Sequence, residues 1–252
     1  MIQKHMNINK SKILSYWIIG KHAVVGALNN PDRINYRLCI TAENYEKIQT
    51  NNIKLEPEIM SRTEISKLTN NNIHQGLALL TKPLEKKNLN NYLNQNKNKN
   101  KIFIILDQIN DSQNVGAIIR SAAAFNASGI IILDKNSPNE NSALSKAAAG
   151  TLEIMPLFRV SNLVQTIKLL KQNNFWTVGL EAKAIKTLKE INESTKIFSE
   201  NVAIVMGSES KGIRSLVKDN CDITAKINIK NSIESLNVSV ALAISLYEMN
   251  RS

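Results

Sequence analysis

The feature that most limits how this chain can fold is the rhythm of its second half. Short β-branched runs stand at IFIIL (102–106), GIIIL (129–133), WTVGL (176–180), VAIVM (202–206) and ITAKINI (223–229). Between them lie stretches with helical spacing of apolar residues, over 115–126, 143–149, 163–172 and 213–220. Strands that are apolar on both faces and alternate with helices predict a parallel sheet covered on both sides. Ligands of such sheets bind beyond the carboxyl ends of the strands, so a site is expected in the segments after Leu106, Met206 and Ile229. The first half reads as a smaller α/β unit, with helices over 22–28, 44–49 and 63–68 and strands over 37–40 and 76–82. Residues 94–101, NQNKNKNK, contain no apolar side chain. The expected division is a poorly ordered terminus (1–16), an α/β unit (17–84), a polar Asn/Lys-rich linker (85–101) and the parallel-sheet domain (102–252).

Charge follows the same division. The net charge is +11, but residues 1–101 hold 16 Lys/Arg against 7 Asp/Glu, and residues 102–252 hold 16 against 14. A basic excess gathered in the first unit points to a polyanionic partner. Cys39 and Cys221 form no CxxC pair, and His5, His22 and His74 have no metal-ligand spacing, so neither a disulfide framework nor a metal is expected. No apolar run approaches the ~20 residues of a membrane span. The basic-then-apolar start has too short an apolar part, and no small-residue cleavage site, for a leader. These features predict a soluble cytoplasmic protein of a reducing compartment, without a membrane.

Three loops carry the polar groups. LDQINDSQNVGAIIRSAAAF (106–125) follows a strand and opens a helix, without the glycine fingerprint of dinucleotide sites or the P-loop. Asn114 reads as a helix cap or a site residue. Arg120 is the only charged residue between Ser112 and Leu133; it either snorkels from a half-buried helix or faces an anion. In VMGSESKGI (205–213), Gly207 and Gly212 flank a turn that lets main-chain amides approach a ligand, and Glu209 is a turn residue or a functional carboxylate. In SIESLNVSVALAISLYEM (232–249), Ser235 and Asn237 stand where caps stand, before a helix with almost no polar face. A surface helix normally has one, so this helix is either sandwiched in its own domain or covered by a second subunit.

Taken together, the Asn-x-Gly-x-x-x-Arg, Gly-x-Glu-x-x-Gly and Ser-Leu-Asn-Val-Ser segments, in this order, resemble the three motifs of the SpoU branch of the SPOUT methyltransferases. GKHAVVGAL, HQGLALL and PLFRVSNLVQTI extend the similarity to bacterial 23S ribosomal RNA guanosine 2′-O-methyltransferases, over nearly the whole chain after residue 17. The resemblance implies a C-terminal domain tied in a deep trefoil knot, an exception to unthreaded topology. It implies a ribosomal-protein-like RNA-binding unit in front of that domain, S-adenosylmethionine as methyl donor, ribosomal RNA as substrate, and a homodimer formed through the C-terminal helix. It also implies roles. Arg120 would activate the ribose hydroxyl, with Asn114, Glu209, Ser235 and Asn237 positioning the reacting groups. Gly207, Ile227 and Leu236 would supply main-chain contacts to the donor. A guanidinium stays protonated in proteins, which favours electrostatic activation over general-base action for Arg120. The chain departs from the family pattern at Ser112, at Ser210 and at Asn231, which stand where proline, glycine and glycine are common. The competing expectations are a transfer-RNA or other ribosomal target, a catalytically silent ribosome-assembly factor, and an ordinary nucleotide-binding enzyme.

Overall fold

A computed structural model describes residues 15–48, 55–70, 73–96, 101–230 and 232–251. The expectations placed on 1–14, Gln49, 97–100 and Asn231 lie outside the described residues. The first unit comprises β1 (Tyr16–Ile19), α1 (Lys21–Asn29), β2 (Asn35–Ile40), α2 (Ala42–Lys47), β3 (Pro57–Ile59), α3 (Arg62–Thr69) and β4 (Leu77–Thr81). Its sheet has the order β1-β4-β2-β3, with β4 antiparallel to β1 and β2, and β3 parallel to β2. Alternation along Leu38-Cys39-Ile40 and Leu77-Ala78-Leu79 sends side chains to two small cores, one under α1 and one under α3. A reciprocal capping box starts α3: Ser61 Oγ accepts from Glu64 N, and Glu64 accepts from Ser61 N at 2.8 Å.

The second unit runs through α4 (Leu89–Gln95), β5 (Ile102–Asp107), α5 (Ser112–Ala124), β6 (Gly129–Leu133), α6 (Ser142–Ala148), β7 (Leu157–Val160), α7 (Leu163–Gln172), β8 (Phe175–Leu180), α8 (Leu188–Thr195), β9 (Asn201–Gly207), α9 (Ser215–Lys218), β10 (Ile223–Ala225) and α10 (Val238–Asn250). All its strand pairs are parallel, in the order β10-β8-β9-β5-β6-β7. The run IFIIL explains the layering. Ile104 and Leu106 point to the core beneath α5, α6, α8 and α10, while Phe103 and Ile105 point to the core beneath α4, α7 and α9. Each of these four side chains is fully buried, contributing roughly 1.5–3 kcal/mol apiece.

Several expectations need correction. Within the expected linker, 85–101, residues Leu89–Gln95 form the helix α4. Asn88 caps α4, Leu89 and Leu93 are buried, and the Tyr92 ring meets Phe103 and Phe158 edge-on. Leu89, Tyr92 and Leu93 together seat a short polar helix on the sheet. ITAKINI is a strand only as far as Ala225, because Lys226 then bridges to Thr187 and the chain leaves the sheet. The helix expected over 213–220 is confined to Ser215–Lys218. The strands β1, β3 and β7 and the helix α8 were not anticipated. The three strands are only three or four residues long, too short for an apolar pattern to stand out.

Candidate active site

The order of the sheet decides where a site can form. From β5 the chain moves outward through β6 and β7, then returns to build β8, β9 and β10 on the other side. The carboxyl ends of β5 and β9 are therefore neighbours, with Asp107 paired to Gly207, at the point where the winding reverses.

Three polar side chains from three loops meet there. Asp111, not Asn114, caps α5: its carboxylate accepts from Gln113 N and Asn114 N, each at 3.2 Å. The Asn114 side chain is thereby free to reach across. Its Nδ2 donates to Glu209 Oε1 at 3.3 Å, and its Oδ1 accepts from Asn237 Nδ2 at 2.9 Å. Asn237 Nδ2 also donates to Glu209 Oε1 at 2.8 Å, and Val238 N donates to the same oxygen at 3.2 Å. At the same time Asn237 Oδ1 accepts from Ser239 N and Val240 N, capping α10. One side chain thus both starts the helix and joins the polar cluster. Glu209 Oε1 takes all three of these donors, and among the described residues its second oxygen accepts no hydrogen bond.

The glycine at 207 is required by contact. A Cβ there would collide with the main chain of Gly212 and Ile213, which cannot yield as a side-chain tip could. That close approach folds 208–212 into a tight turn, closed by a Ser208–Gly212 bridge, with Gly212 at φ +64. A pair missed at the sequence level completes the turn. Asp107 is fully buried and accepts from Arg214 N at 2.9 Å and Arg214 Nε at 2.8 Å, and Arg214 Nη2 lies 2.8 Å from it. The visible signal was an acidic residue ending an otherwise apolar buried strand.

The other expected residues stand apart from the cluster. Ser235 is exposed and makes no hydrogen bond to the cluster. Arg120 is exposed on α5, about 9 Å along the helix axis from Asn114, and makes no ion pair among the described residues. Ile227 and Leu236 are partly buried, Leu236 next to Asn237 in the chain and Ile227 against the core. No hydrogen bond among the described residues engages their main-chain groups. Main-chain groups without a partner among the described residues, next to apolar side chains, suit an uncharged heterocycle held by its edges. Burial pushes the Cys221 thiol up to about 12, which removes it as a nucleophile. Among the described residues no acidic, histidine and cysteine side chains gather as a metal site, and no helix is long and apolar enough to cross a membrane.

Fold and geometry together define an α/β protein that gathers amide, carboxylate and main-chain groups at adjacent strand ends. Comparison with known proteins makes that class specific. Residues 101–247 match the SpoU rRNA Methylase family, and residues 17–87 match the RNA 2'-O ribose methyltransferase substrate binding family. The chain is 36% identical over 242 residues to a TrmH family tRNA/rRNA methyltransferase of Staphylococcus aureus (strain COL), covering 93% of this chain and 95% of that one. It is 35% identical over 242 residues to the like-named protein of Staphylococcus haemolyticus (strain JCSC1435), covering 93% and 94%. Among solved structures, the SpoU methyltransferase AviRb from Streptomyces viridochromogenes, in complex with the cofactor AdoMet, superposes with a TM-score of 0.78 at 18% identity, over 94% of this chain and 89% of that one. An AdoMet-bound rRNA methyltransferase from Sinorhizobium meliloti gives 0.73 at 21% identity, over 94% and 87%. The chain belongs to the SpoU RNA methylase family.

Proposed function

We propose that this chain methylates a ribose 2′-hydroxyl of RNA with S-adenosylmethionine as donor, and that the target is a guanosine of 23S ribosomal RNA. The observation that carries the reading is the Asn114–Glu209–Asn237 cluster, built from all three expected loops at the reversal point of a SpoU-family sheet. The donor would be held by main-chain groups of Gly207, Ile227 and Leu236, and bound there it supplies an electrophilic methyl group. The protein's task is to make a hydroxyl nucleophilic. The open oxygen of Glu209 and the amides of Asn114 and Asn237 orient the ribose, and Ser235, at the rim, follows it in. Arg120 stabilises the developing negative charge on the 2′-oxygen as its proton leaves.

Arg120 does not reach the cluster of its own chain, so it serves the site of a second copy. The apolar outer face of α10 supports that pairing: Val240, Ile244 and Tyr247 are exposed, and Tyr247 packs against Phe125 at the end of α5. The insertion of β9 between β8 and β5, with α10 returning onto α5, is consistent with the knotted threading of the family. The first unit, 17–84, with the basic excess of residues 1–101, binds the RNA.

Incorporation of labelled methyl from S-adenosylmethionine into ribosomal and transfer RNA, with the modified ribose mapped, tests the proposal. Label on a 23S guanosine 2′-oxygen supports it. Label on transfer RNA instead moves the substrate to the second class named for the relatives. Tight RNA binding without incorporation makes the chain an assembly factor.

A further inference from the structure

The two units are joined by more than chain connectivity. Arg33, in the first unit after α1, has a fully buried side chain and holds two carboxylates of the second unit. Its Nε and Nη2 donate to Glu153 Oε2 and Oε1 at 3.0 and 2.7 Å, and its Nη1 donates to Glu140 Oε2 at 2.8 Å and to the Lys82 carbonyl at 3.0 Å. Further first-unit groups close on the same acids. Tyr16 Oη donates to Glu140 Oε2 at 3.0 Å, Asn30 Nδ2 to Glu153 Oε2 at 2.8 Å, and Leu84 N to Glu140 Oε1 at 3.1 Å. Burial opposes the charge on Arg33, but its bonds to Glu153 and the negative charges of Glu153 and Glu140 outweigh burial and hold it protonated.

The acids belong to elements that back the catalytic helix. Glu140 precedes α6, whose cap, Asn141, donates to Ser112 Oγ at 2.8 Å in the first residue of α5. Gly116 of α5 lies so near α6 that a Cβ would stand 2.6 Å from Ala147 Cβ. Glu153 closes the one-turn helix 151–153, whose Leu152 shares a core with Val115, Ile118 and Ile119 of α5. A cavity of about 500 Å³ lies against the clamp, lined by Asn30, Glu140 and Glu153 together with Asp32, Leu84 and Arg159, while α1 meets the main chain of Gly150 closely at Gly26. The clamp supplies the buried charged part of that seam, beside the close packing of Gly26 on Gly150.

We propose that Arg33 is a positioning residue for methyl transfer, locking the RNA-binding unit in one orientation on the elements that carry α5 and so setting the distance from gripped RNA to Asn114 and Arg120. The proposal rests on the functional reading above. A buried guanidinium bound by both edges to two carboxylates contributes geometric specificity more than net stability. A misplacement of about one ångström costs roughly a hundredfold in rate.

The full chain carrying Arg33→Met, with Glu140→Gln as the milder variant, provides the test. Donor affinity is read by calorimetry, unit separation by small-angle scattering, and kinetics on two RNAs: a long ribosomal transcript and a short stem-loop bearing only the mapped methylation site. Both variants are expected to bind S-adenosylmethionine as wild type and to scatter as a more extended particle. They should lose up to roughly a hundredfold in kcat/KM on the long RNA through KM, and keep wild-type turnover on the stem-loop. Equal loss on both RNAs would mean general damage, and would overturn the proposal. So would unchanged kinetics on the long RNA or unchanged scattering. A wild-type chain that methylates no RNA removes the functional reading instead, and scattering of the variants then decides the clamp.

Discussion

At the scale of single residues, the cluster separates two kinds of contribution. Glu209 Oε1 accepts from Asn114, Asn237 and the Val238 amide. Glu209→Gln keeps an oxygen at that place, whereas Glu209→Ala takes the acceptor from Asn114 Nδ2 and the Val238 amide and leaves Asn237 Nδ2 only its bond to Asn114 Oδ1. Hydrogen bonds to a charged group contribute about 1.5–3 kcal/mol each at most. The alanine variant is therefore expected to melt lower and lose nearly all activity, and the glutamine variant to keep its fold with reduced turnover. Thermal unfolding and methyl incorporation measured side by side check this, and equal melting of the two variants would remove the structural half of the argument. Arg120 poses the complementary question. Arg120→Lys keeps the charge and loses the planar fork, and most activity should go with it. Near-wild-type turnover would show that charge alone suffices.

Among elements, the turn 208–212 is the most constrained. It is pinned at one end by the collision that only glycine avoids at 207 and at the other by buried Asp107 gripping Arg214. Gly207→Ala must displace main chain, and overpacking of this kind costs typically 1–3 kcal/mol. The expected outcome is weaker S-adenosylmethionine binding by calorimetry together with a lowered melting temperature. Unchanged affinity would mean that the turn does not shape the donor site. The same scale shows why some elements were legible in advance. The strands β5, β6, β8 and β9 announce themselves as apolar runs because both faces are buried. In contrast, α4 carries four Asn or Gln among its seven residues and is anchored by Leu89, Tyr92 and Leu93 alone, so its pattern resembled a linker.

For the whole molecule, α10 is decisive. Its inner face, with Leu242, Leu246 and Met249, completes the core, yet Val240, Ile244 and Tyr247 are 47%, 39% and 57% exposed. A helix apolar on all sides is ordinarily buried on all sides, and a second copy of the chain is the proposed cover. Ile244→Glu is expected to shift the protein from dimer to monomer in sedimentation velocity at micromolar concentration. It should abolish activity although no group of the cluster has changed. A wild-type chain that stays monomeric across the concentration range would sink the idea that Arg120 acts on a partner's site.

The parallel sheet, the three loops and the identities of Asn114, Glu209 and Asn237 could be read from sequence, because burial on both faces and three short motifs are local patterns. Local patterns do not reveal which strand lies beside which. Only the tertiary order placed the ends of β5 and β9 together, assigned the α5 cap to Asp111 so that Asn114 could turn outward, and paired Asp107 with Arg214. It also brought Arg33 to Glu140 and Glu153, residues more than a hundred positions away. A buried charge is tolerated only where its partner is, and that partner is chosen by the folding of the whole chain.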